Sequence, residues 1–281
     1  MSKVTKKEET RVSVNIINFE DDAGGGQDNL DPSMLKTPYM NLLQSNSGEV
    51  QEGHEKYVEN AVSGDMYVKT QKELYKGKEG IKVIPCYYKR TFNEWSTRTS
   101  KESDDEKLLA PIVHYKDFIK EGLTERSEDN KDVIISNPNR EIRDTRNFVC
   151  MVLDKNYNFY QPAVITFDIS KIKVSNEWQG LISQKRMPRE DGNGTFKLPM
   201  YACIYTLKSK DEKNRKGQYF KNYAIFDDRQ LDPKKSQDQE LYLMAKDICK
   251  TFDDKSYDWA SNNSPNSAVV GIEDKSEKDI F

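Results

Sequence analysis

The 281-residue chain carries 44 Lys and Arg against 47 Asp and Glu, a net charge of −3, with 35% apolar residues and a mean hydropathy of −0.89. That apolar share lies below the roughly 45–50% of a packed chain, yet 15 Tyr, 11 Phe and 3 Trp are too many for a wholly disordered one. One core of about 150–200 residues with polar ends is expected, and the absence of any run of about 18 apolar residues excludes a membrane-spanning helix.

The elements follow in chain order. Residues 1–36 are polar and acidic and read as a disordered arm, with Val12–Phe19 as a short segment able to pair. Residues 37–46 look like a docking segment: Pro38 opens a helix whose apolar face is Tyr39, Leu42 and Leu43. From about residue 57 the texture turns to strands. Asp65–Thr70 is short and β-rich, Lys76–Gly80 is a turn, and Ile81–Trp95 is a long strand in which Pro85 marks a bulge or an edge.

Residues 96–145 are charged, with a short helix expected over Ile112–Gly122. Thr145–Leu153 and Gln161–Phe167 pair across the turn Asp154–Tyr160. Ile169–Ser183 reads as a helix capped by Ser170. Thr195–Lys208 and Gln218–Phe226 form the clearest strand pair, joined by a long basic loop from Lys208 to Gly217. Asp238–Phe252 is a helix with Leu241, Met244, Ala245, Ile248 and Phe252 on one side. Residues 253–281 form a flexible acidic tail. The fold class is therefore mostly β with added helices (α+β), an OB-like small barrel over residues 37–252 with disordered termini.

The residue inventory narrows the chemistry. Two histidines, His54 and His114, leave little for zinc sites or histidine triads. The four cysteines, Cys86, Cys150, Cys203 and Cys249, are far apart and sit in apolar or aromatic runs, as core residues in a reducing compartment do. No phosphate-binding glycine motif occurs, because Gly24–Gly26 follows three carboxylates. The first residues have no apolar stretch like that of a signal peptide, so a cytoplasmic protein without cofactor or metal is expected, and not an enzyme. Carboxylate pairs such as Asp104–Asp105 and Asp227–Asp228 are what 47 acids produce by chance, though a magnesium-dependent nuclease stays open as an alternative.

Charge is unevenly spread. Residues 1–64 and 227–281 are each net −5, and residues 65–226 are net +7. A basic middle attracts a polyanion and acidic ends compete with it. Within that middle, aromatic and basic residues interleave on strands: Tyr87, Tyr88, Lys89, Arg90 and Trp95; Tyr201, Tyr205 and Lys208; Lys210, Lys213, Arg215 and Lys216 in the basic loop; Tyr219 and Lys221 beyond it. Rings stack on bases of any kind and Lys and Arg hold phosphates, so these are the candidate nucleic-acid contacts.

The last residues, Asp279-Ile280-Phe281, resemble the acidic tails of bacterial and phage single-stranded DNA-binding proteins, which end in an apolar residue and Phe. That resemblance implies a tail that recruits a replication partner (polymerase, helicase or recombinase) and competes with DNA. Lys275 and Lys278 dilute the acidity, and no proline precedes the Phe. A second resemblance covers more of the chain. Asp21-Asp22-Ala23-Gly24, Pro38-Tyr39-Met40-Asn41-Leu42-Leu43-Gln44, Glu49-Val50, Gly64-Asp65, Gly77 and Gly80, Pro85 and Tyr88, and Glu94-Trp95 are similar to a group of replication-region proteins of tailed phages. It implies a phage protein acting in the cytoplasm of the infected host. The family's OB-fold binders place the DNA role on the Tyr87–Trp95 strand and the 208–221 hairpin. The expected function is sequence-independent single-stranded DNA binding in replication or recombination, with oligomers possible and no membrane. The alternative is an interaction or virion-associated phage protein.

Overall fold

Apolar runs in the middle of the chain serve two faces at once. Over residues 148–152, Phe148, Cys150 and Val152 enter one core, while Val149 and Met151 pack on the opposite face. A strand buried on both sides reads as a continuous apolar run, whereas one half-exposed alternates. The computed structural model describes residues 38–96, 108–111, 121–127, 132–189, 191–214 and 217–253. The chain divides into two compact units, Met1–Leu35 and Lys36–Phe281; every described residue lies in the second.

Among the described residues that unit is mostly β with two helices. The strands are β1 (Tyr39–Leu42), β2 (Met66–Val68), β3 (Glu73–Tyr75), β4 (Ile81–Ser96), β5 (Leu108–Pro111), β6 (Thr124–Arg126), β7 (Asp132–Ile134), β8 (Asn137–Leu153), β9 (Phe159–Asp168), β10 (Arg186–Pro188), β11 (Thr195–Lys197), β12 (Cys203–Lys213) and β13 (Tyr219–Gln230). The helices are α1 (Ile172–Gln184) and α2 (Ser236–Asp253). Eleven strands form one sheet with the path β13-β12-β4-β8-β9-β1-β2-β3, with β5 on β4 and the β6–β7 pair on β8. β10 and β11 pair separately. All ladders are antiparallel except β1 with β9.

The sheet curls into a half-barrel whose far strand returns to the segment after β1. There the Gln44 side chain acts as a ladder residue: its Nε2–H donates to Lys221 O (3.0 Å) and its Oε1 accepts from Lys221 N–H (2.8 Å). Nearby, Ser209 N–H donates to Gly77 O (2.8 Å). Trp178 of α1 fills the inner face, stacked on Phe148 with centroids 4.3 Å apart and edge-on to Tyr205 at 5.8 Å. On the other face α2 lays Leu241 and Ala245 against Ile84, Cys86, Met151 and Ile204. Cys86, Cys150 and Cys203 are buried and unpaired, and burial pushes the Cys86 thiol up to about 12.

Three local expectations change and one, the bulge at Pro85, holds. Tyr39–Leu42 is a strand, not the first turn of a helix; Met40 and Leu42 alternate inward because pairing with β2 and β9 outweighs a five-residue helical pattern. Pro85 does form a bulge, at Pro85/Tyr87, where β12 no longer pairs β4. Ser170 does not cap α1, which starts from a short 3-10 turn with Lys171 at the cap and no side-chain bond there. The basic loop shrinks, since β12 runs on through Lys213 and β13 starts at Tyr219. The arm 1–36 with Val12–Phe19, the 112–122 helix (except its last residues) and the tail from residue 254 lie outside the described residues.

Candidate nucleic-acid interface

The ladder registers decide how the candidate residues are grouped. Leu207 stands opposite Ile81 and Tyr205 opposite Val83, so β12 runs on past Ile81 away from the rest of β4. At about 3.3 Å per residue, Tyr87 and Trp95 lie about 20 and 46 Å from Ile81 along the strand, and Lys213 lies about 20 Å beyond it in the opposite direction. The strand and the hairpin therefore occupy opposite ends of the sheet. The structure does not bring them into one groove.

At the β4 end most rings are packed. Tyr88 lies on the inner face 5.0 Å from the Phe148 ring, and Tyr87 packs against the Val149 and Val164 cluster, as Ile248 of α2 also does. Lys89 is exposed. Arg90 is committed to Asp144 by two bonds (Nε to Oδ1 2.8 Å, Nη2 to Oδ2 2.9 Å), with its guanidinium 4.7 Å from the centre of the Phe92 ring. Trp95 is covered by the Arg143 guanidinium at 4.5 Å, and Arg143 forms a buried pair with Glu141 at 2.5 Å. Arg140 meets Glu94 at 2.8 Å. Sequence reasoning missed Arg143 as the partner of Trp95, because the two meet only through the β4–β8 register.

Tyr201 and Tyr205 lie between the two ends. Tyr201 is half-buried, 5.2 Å from the Tyr242 ring of α2. Tyr205 is fully buried against Trp178, so as a base-stacking residue it is corrected to core: its strand position points into the inner face.

The hairpin end differs. Tyr219 is 74% exposed, and Lys213 holds its ammonium 5.4 Å from the ring centre. Lys210 pairs with Glu212 (2.6 Å) and Lys221 with Asp211 (2.7 Å) across or along the hairpin, and Lys208 lays its stem beside Gly80. Burial is the largest single influence on the Glu212 carboxyl and would raise it, but bonds from Lys210 and Asn222 and the charges of Lys210 and Lys173 together outweigh it and hold the group below the usual carboxylate range. Arg215 and Lys216 lie outside the described residues, as do Asp279, Ile280 and Phe281. Among the described residues no group of three or more His, Cys, Asp or Glu could hold a metal ion, and no helix is long and apolar enough to cross a membrane.

The class is thus a mostly β protein whose curled half-barrel sheet is plugged by one helix, backed by a second, and extended by a charged hairpin carrying an exposed ring. The chain belongs to the Pam3 phage gp34-like protein family, whose model matches residues 7–258, and is a bacteriophage protein. No curated protein and no solved structure matches it.

Proposed function

We propose that this phage protein binds single-stranded DNA without sequence readout, through the β12–β13 hairpin of an OB-like half-barrel, during replication or recombination in the host cytoplasm. The observation that carries the reading is Tyr219, a large ring left 74% exposed with the Lys213 ammonium beside it. A base stacked on such a ring gains about 1–3 kcal/mol whatever its identity. A neighbouring cation meets the phosphate and makes the binding fall with salt. The acidic ends, net −5 each, would compete for the same cations, and the tail ending in Asp279-Ile280-Phe281 would recruit the replication partner.

The test is an anisotropy titration of labelled oligo-dT with the full chain, with Tyr219→Ala, and with a chain lacking residues 272–281, at low and moderate salt. The reading predicts binding that weakens with salt, weakens roughly 5- to 150-fold in Tyr219→Ala, and tightens without the tail. No binding at low salt by any form would overturn it. A second reading, an interaction or virion-associated phage protein, is favoured by one observation: Lys210 and Lys221 are already matched by Glu212 and Asp211.

A further inference from the structure

A slot runs between α1 and β13, apart from the hairpin tip. Two ties hold helix and strand side by side. Asn222 Nδ2–H donates to Ser170 O (3.4 Å) just before the helix, and Lys185, just after it, pairs with Asp227. The helix rises about 20 Å over its length and residues 223–227 of the strand span about 17 Å, so the two run parallel between the ties. The space between them is a groove of about 490 Å³ floored by Trp178, Leu181 and Tyr223, with Gly180 and Phe226 on its walls.

The strand wall is an open sheet edge. Among the described residues β13 ends the strand path and pairs only with β12. Three bonds fix which backbone groups face outward: Lys221 donates its N–H to Gln44 Oε1 and accepts at its C=O from Gln44 Nε2–H, and Ser209, opposite Tyr223, donates its N–H to Gly77 O. Residues 221, 223 and 225 therefore point away from β12, since backbone groups alternate along a strand. Gln44 satisfies residue 221, and Asn222 Oδ1 accepts from Tyr223 N–H (2.8 Å). Beyond that point the Tyr223 C=O and both backbone groups of Ile225 face outward with no partner among the described residues.

Three further observations point to an occupant. The floor is aromatic, formed by the buried rings of Trp178 and Tyr223. Gly180 sits in mid-helix, where glycine weakens the helix, and a Cβ placed there would meet nothing within 4 Å. The missing side chain leaves room for a main chain. The rim carries one charge of each sign, Glu177 and Lys210, so a neutral segment is complementary. A second copy's β13 carries its own α1 along the same edge and is obstructed, whereas a single extended segment is not. We propose that this slot binds an uncharged, apolar, extended segment of a partner protein, which adds to β13 as a strand beside α1.

The test uses the full chain, synthetic peptides selected from a random octapeptide display library, and two variants. Gly180→Phe fills the slot from the helix. Ile225→Pro removes the outward N–H at a position where an edge strand accepts proline. The expected result is uncharged peptides with alternate apolar residues that bind at least tenfold more weakly to both variants. Circular dichroism and oligo-dT binding are unchanged in both variants, and bound peptide slows hydrogen exchange at Ile225. No selected peptide, peptides that bind the variants as well as the parent chain, or peptides rich in charge would each overturn the proposal. So would a dimer, seen in sedimentation, that Gly180→Phe abolishes, because the slot would then serve a second copy.

Discussion

Asp238 holds together the place where β13 hands over to α2. It accepts two bonds from Arg229 (2.6 and 2.8 Å) and one from Asp232 N–H (2.8 Å), in the first turn of α2, where a carboxylate also meets the positive end of the helix dipole. The Arg229 guanidinium is the main reason its carboxyl lies below the usual range, with burial opposing. A lowered folded-state value contributes stability that is fully present above the unfolded value near pH 3.9 and is lost as pH falls through the folded one. Asp238→Asn is expected to cost about 2–3 kcal/mol at pH 7, from charged hydrogen bonds lost in a buried setting. In urea melts the gap from the parent chain should close as pH drops below about 4. Trp178 is a different kind of residue: fully buried among Phe148, Phe167 and Tyr205, it should cost about 3–5 kcal/mol when cut to Ala. Tyr219→Ala should leave urea stability within about 0.5 kcal/mol, as an exposed side chain does, so any loss of DNA binding by that variant reports the contact itself.

At the scale of elements, two glycines carry opposite expectations. A Cβ on Gly77 would stand 1.8 Å from Gly64 O, a backbone atom that cannot swing aside, beside the point where Ser209 docks. Gly77→Ala should therefore destabilise the chain, seen as a lowered melting temperature, and free the base of the hairpin. Gly180→Ala meets no atom and should stabilise α1 by up to about 1 kcal/mol. The same scale shows what the sequence made legible. The long strands β4 and β9, the second half of β8 from Thr145, the helix α2 and the turn before β4 follow from alternation, apolar runs, helical spacing and glycine, whereas the first half of β8, from Asn137, is charged and does not read as a strand. Tyr39–Leu42 did not, because four residues fit either period and their partners, β2 and β9, are distant in the chain. The strand character of 208–213 was hidden for another reason. Its charges look like a loop until Asp211 and Glu212 are seen to neutralise Lys221 and Lys210 within the hairpin. Tyr205 looked equivalent to Tyr219, and only the curl of the sheet sends one inward and leaves the other at the tip.

Over the whole described unit, the interleaved basic and aromatic residues divide into two ends. At the β4 end, Arg90, Arg140 and Arg143 are matched by Asp144, Glu94 and Glu141, and the rings are covered. The hairpin end keeps an exposed ring with a cation beside it. The proposed DNA site is therefore the hairpin and not β4, a division the sequence did not predict because both stretches have the same composition. Photo-crosslinking of the full chain to an iodouracil-substituted oligo-dT, with the modified peptide identified by mass spectrometry, tests that division most directly. The account predicts a crosslink at Tyr219; crosslinks confined to Tyr87–Trp95, or none at low salt, would contradict it.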